Sequence, residues 1–173
     1  MAQYGLLLPD RGCDIWMLLV RLAPTSPLRA FSIAAENDMD PICTLISQYT
    51  LSVSMSTLTE LDASRMGAVY LQRLFILHIN RTNALKKILS KGIKGHRPIY
   101  PCTLELQEAL KEKWLAASAI LLAGDELQDA QPTTLISTFT PISEQAKCRQ
   151  CRENVQTRTA EIVQDWMVVR RTI

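Results

Sequence analysis

Histidine is scarce in this chain. His78 and His96 are the only two in 173 residues, so imidazole acid–base chemistry has two candidate positions. Glycine is also thin: Gly92, Gly95 and Gly124 are isolated breakers, and nothing resembles a Gly-rich phosphate loop. No apolar run reaches the roughly 18 residues that a membrane-spanning helix needs. The longest, near Leu74 and Ile120, are interrupted by polar groups. Five cysteines is an odd number without regular spacing, which argues against a secreted disulfide scaffold and for a reducing compartment. Paired carboxylates such as Asp125 and Glu126 fall in a turn and read as solvated. These absences remove the usual signatures of catalysis and point to a soluble, intracellular, non-enzymatic chain.

What is present is a globular composition. The chain is 47% hydrophobic and 21% charged, enough to build a core and too apolar for disorder. A net charge of +2 does not by itself imply nucleic acid. The organising stretch is Met66 to Gly95, free of Gly and Pro between Ala68 and Lys91. Met66, Tyr70, Leu74, Leu77, Leu85 and Ile88 recur at helical spacing, with Leu71, Phe75, Ile79 and Leu89 in a second row. The spacing predicts one long helix over about 64–92, capped by Asp62 or Ser64 and ended by Gly92 and Gly95.

Other segments follow the same logic. A helix is expected from about Pro41 with Asp40 as its cap, although Leu51, Val53 and Met55 alternate like a strand. Thr103 caps a helix reaching Gly124, with the stripe Leu106, Leu110, Trp114, Ala117 and Leu121. The Thr-rich run Pro132 to Pro141 reads as a linker with a short extended segment near 134–140. A last helix begins after Ser143, with the stripe Cys148, Cys151, Val155, Ile162, Trp166 and Val169. Residues 1–38 differ from the rest. They are rich in Leu, Ala and Ser, and Arg29-Ala-Phe-Ser32 resembles a mitochondrial processing site. Asp10 and Asp14 are unusual in a targeting peptide, so this segment reads either as a targeting segment or as an ordinary N-terminal extension ahead of a helical domain, 39–173. A mitochondrial address follows from the first reading, a cytoplasmic or nuclear one from the second.

Three groups of residues carry candidate chemistry. Cys148 and Cys151 form a CxxC pair, and with His96 and Cys102 they make a His-Cys₃ set suited to tetrahedral zinc. The competing reading is that small thiols on an apolar stripe simply pack. Arg81, Lys86, Lys87, Lys91, Lys94 and Arg97 form a basic cluster, with no acid between Asp62 and Glu105, and offer a nucleic-acid contact. Trp166, Met167, Arg170 and Arg171 are residue types favoured at protein interfaces.

The expected architecture is all-α, a bundle of four or five helices around the central one. The expected function is a helical subunit or adaptor of a larger assembly, binding a protein partner or a second copy by helix packing, with no cofactor. Nucleic-acid binding through the basic cluster is the alternative, and a small zinc-stabilised helical domain is the second alternative.

Overall fold

The structure, a computed structural model, describes residues 14–124 and 127–173; residues 1–13 and the expected Asp125–Glu126 turn lie outside them. Among the described residues there are seven α-helices and no strand, so the chain is all-α. The helices are α1 (Asp14–Leu22), α2 (Pro27–Glu36), α3 (Asp40–Ser47), α4 (Glu60–Leu89), α5 (Leu104–Ala123), α6 (Pro132–Gln145) and α7 (Arg149–Met167). No helix among these residues is long and apolar enough to cross a membrane. The chain divides into two compact units, residues 1–79 with 171–173 and residues 80–170.

The first unit is built on α2, whose small residues Ala30, Ser32, Ala34 and Ala35 are buried beside Leu28 and Phe31. Pro27 starts this helix, where a missing N–H costs nothing. Phe31 and Ser32, in the processing-like tetrapeptide, are fully buried within α2. The same core takes Ile42, Cys43, Ile46, Leu51, Met66, Tyr70, Leu74 and Leu77. Residues 48–52 form a 3₁₀ turn, so the alternation at Leu51 to Met55 makes no strand. The edge Tyr70 presents to Phe31 gives a T-shaped pair at 6.4 Å. Its hydroxyl donates to Asp38 Oδ1 at 2.7 Å. Burial first, then this bond, raises the Tyr70 pKa. Burial likewise pushes the Cys43 thiol up to about 12. His78 is buried, its Nε2 3.2 Å from Thr50 Oγ1, and belongs to this packing.

The cap of α4 is Thr59, earlier than the sequence suggested. Its Oγ1 accepts the Asp62 N–H at 3.1 Å and donates to Asp62 Oδ2 at 2.7 Å. That is a reciprocal cap with Asp in the third helical position. The helix breaks at Gly67, whose φ of 64° and ψ of 168° only glycine adopts without strain. The first apolar row of α4 is buried along its length, but Leu85, Ile88 and Leu89 belong to the second unit's core. Phe75, in the second apolar row, is 40% exposed and lies outside both cores.

In the second unit Trp114 stacks on Phe139 with ring centroids 4.1 Å apart. Leu135, Phe139 and Ile142 recur at helical spacing and are buried, so the run expected to be extended at 134–140 is helix α6. Thr138 and Thr140 return their hydroxyls to the carbonyls of Thr134 and Ile136, which suits them to a helix surface. The last helix starts at Arg149 rather than after Ser143. Arg158, on the buried stripe of α7, donates to Ile88 O at 2.6 Å and Lys91 O at 3.0 Å. It thereby satisfies carbonyls left over where α4 ends.

Gly67→Ala is expected to cost about 1–3 kcal/mol, read as a lower urea midpoint. An added Cβ would meet nothing within 4 Å, so the cost is conformational. An unchanged midpoint would show that the break is not imposed by glycine.

Candidate metal centre

The segment after α4 has no helix of its own. Its residues Lys94 to Thr103 are fixed by contacts from neighbouring helices. Asn154 Nδ2 on α7 donates to Lys94 O at 3.0 Å. Gln107 Oε1 on α5 accepts the His96 N–H at 3.0 Å. Ile99 and Cys102 exchange backbone hydrogen bonds around the cis Tyr100–Pro101 peptide, which turns the chain back. His96 and Cys102 are thereby brought to the start of α7. There Cys148 occupies the N-cap position and Cys151 the first turn.

Four donor atoms, His96 Nε2 and the sulfurs of Cys102, Cys148 and Cys151, lie within 4.8 Å of one another. His96 Nε2 is 3.2 Å from Cys151 Sγ, 3.4 Å from Cys148 Sγ and 3.5 Å from Cys102 Sγ. Cys102 Sγ and Cys151 Sγ are 3.6 Å apart, far beyond a disulfide, and all three thiols are free. Metal–sulfur bonds of about 2.3 Å and a metal–nitrogen bond of about 2.0 Å in a tetrahedron place neighbouring donors roughly 3.5–3.8 Å apart. The three distances from His96 Nε2 and the Cys102–Cys151 separation fall within a few tenths of an ångström of that.

The imidazole is oriented for the same purpose. His96 Nδ1 is 2.7 Å from Arg97 O. A carbonyl only accepts, so in the neutral ring Nδ1 carries the proton and Nε2 presents its lone pair to the three sulfurs. The thiols are unequal. The N–H groups of Cys151 and Gln150 at the start of α7 bring the Cys148 thiol down to about 7, with Cys102 and His96 adding to this. Burial, followed by the neighbouring Cys102, pushes Cys151 up to about 12. Three thiolates this close repel one another, and a divalent cation at their centre reverses that penalty.

Gln107 is the residue that sequence reasoning missed. It is 3% exposed, and its Nε2 has no hydrogen-bond partner. Together with Cys151 and Gly95 it lines a cavity of about 10 Å³. That is the size of about one water. A Cβ at Gly95 would come within 3.1 Å of Gln107 Oε1, so the amide would have to give by a few tenths of an ångström. The legible signal was a polar residue three positions before Leu110 and seven before Trp114, on the buried stripe of α5. Arg158 gives the same signal on α7.

The other candidate residues fare differently. Arg81 is 1% exposed and lies over the Trp166 ring at 4.0 Å. It donates to the carbonyls of Gln128, Val169 and Arg170, so it is a packing residue and not a phosphate contact. Trp166 is buried, with Nε1 donating to Ala130 O at 2.7 Å, and is no surface anchor. Met167 and Arg170 are exposed and Arg171 is half-buried. Lys86, Lys87, Lys91, Lys94 and Arg97 are exposed. Arg158 first, then Lys94 and Lys91, lower the Glu161 pKa, so an acid sits among these cations. Comparison of the chain with protein-family models, curated proteins and solved structures gave no match.

Replacing Gln107 by Leu keeps the volume and removes the hydrogen bond that Oε1 accepts from the His96 N–H. Zinc affinity, measured by competition with a chromogenic chelator, is expected to fall about 10- to 100-fold. Full affinity in the Leu variant would remove Gln107 from the centre.

Proposed function

We propose that this chain is a zinc-stabilised, non-enzymatic helical protein, in which His96, Cys102, Cys148 and Cys151 hold one zinc ion. The observation that carries the reading is the convergence of four ligand atoms from two distant segments, with the imidazole tautomer fixed to match. Three thiolates and one imidazole are a donor set that favours zinc over the harder calcium and magnesium. Four protein ligands fill a tetrahedron and leave no open position for substrate, which supports a structural rather than a catalytic ion. The bound ion would tie the segment after α4 to the first turn of α7, two pieces otherwise joined by single hydrogen bonds.

The proposal extends to what the domain is for: a subunit or adaptor that binds a protein partner or a second copy. Its support is the end of α7, where Met167 and Val168 are 67% and 84% exposed, well beyond what packing within the chain needs.

Purified protein is expected to contain one zinc per chain by elemental analysis. Cobalt substitution should give the absorption of a tetrahedral sulfur-rich site. A strong chelator should lower the melting temperature by on the order of 10 °C, from the linkage between metal binding and folding. Metal-free protein whose melting is indifferent to both zinc and chelator would overturn the reading.

A further inference from the structure

The three thiols are not equally sheltered. Cys151 and Cys102 are buried, whereas Cys148 is half-exposed at the start of α7. Cys148 also lines a cavity of about 390 Å³, whose walls include Pro101, Cys102, Leu106, Lys113 and Cys151. A small solute entering that cavity can reach the sulfurs from outside. Cys151 is three residues on, in the same helical turn, with its sulfur within 4.8 Å of the Cys148 sulfur. A thiol that is reachable, beside a second thiol that can capture what it becomes, is the arrangement of a reversible oxidation site.

We propose that Cys148 is a peroxide-reactive cysteine, that Cys151 resolves it, and that their disulfide ejects the metal. This inference rests on the zinc reading above. In the first step the Cys148 sulfur attacks one oxygen of hydrogen peroxide. The O–O bond breaks, hydroxide leaves, the sulfur is oxidised to sulfenic acid, and its bond to zinc is lost. In the second step the Cys151 thiolate attacks the Cys148 sulfur, the S–O bond breaks, and a second hydroxide leaves. Two thiolates have given two electrons to one peroxide, which is reduced to two hydroxides. His96 and Cys102 alone are then too few to retain the ion, and the segment from Lys94 to Thr103 loses its metal link to α7 and keeps the Asn154 hydrogen bond to Lys94 O.

The test uses the full chain, purified with its metal under reducing conditions and then freed of reductant. Metal content is measured first. Hydrogen peroxide is then titrated in while released zinc is followed with a chromogenic chelator, and the disulfide is mapped by peptide mass spectrometry. The expected result is one zinc released per chain, with a Cys148–Cys151 bond that a dithiol reductant reverses and added zinc re-ligates. Two variants that keep a ligand atom sharpen the result. Cys148→His is expected to hold zinc through the titration, and Cys102→His to release it as the parent does. Protein purified without zinc would overturn the metal centre and the release step with it. Protein that holds zinc and keeps it in excess peroxide would overturn the oxidation site alone. A disulfide that uses Cys102, or release from Cys148→His at the parent rate, would overturn the assignment of Cys148.

Discussion

Three sulfurs and an imidazole nitrogen packed within 4.8 Å of one another set a problem of charge that the rest of the second unit is arranged around. Ionised, the thiols repel; neutral, they are soft groups that need no oriented histidine among them. The structure nevertheless spends a backbone carbonyl, Arg97 O, on fixing the His96 ring. It spends a buried amide, Gln107, on the His96 backbone. It also places Cys148 where the N–H groups opening α7 favour a negative sulfur. Hydrophobic packing alone asks for none of these three features. A divalent cation held by four donors, as proposed, would favour the oriented ring and the negative sulfur.

The rest of this unit shows how polar groups are placed inside a helical core. Arg158 and Arg81 are buried, yet each faces carbonyl oxygens that would otherwise lack donors: the end of α4 for Arg158, and the backbone at Gln128, Val169 and Arg170 for Arg81. Arg81 also lies on the Trp166 face, so its charge is offset by a ring as well as by dipoles. A buried guanidinium is costly without such partners and orienting with them. These arginines therefore join irregular chain to helices at points where α-helical hydrogen bonding has run out.

In the first unit the same division of labour uses smaller groups. Ala and Ser on α2 permit its burial on several sides, and Thr59 with Asp62 closes the start of α4. Gly67 then turns the chain within α4. The apolar row that continues from Met66 to Ile88 reads as one stripe, but its members divide between two cores. Periodicity reports which side of a helix is apolar and carries no record of which neighbour covers it.

That distinction separates what was legible from what was not. The all-α class, the buried row of α4 and the stripe of α7 could be read from residue types and their spacing, because each is a local property of the chain. The helix over Pro132–Gln145 was obscured by its β-branched residues and two prolines, although Leu135, Phe139 and Ile142 carry the period that packing against Trp114 and α7 rewards. Arg81 has surface-like chemistry in sequence and is internal in the fold, because its partners include backbone carbonyls that no side-chain pattern announces. The sequence by itself determined the helices and supplied the four ligand types. Only the tertiary structure decided that His96 and Cys102 meet Cys148 and Cys151, since contact across some fifty residues depends on how α5 and α7 pack and on the hydrogen bonds that fix the segment between α4 and α5.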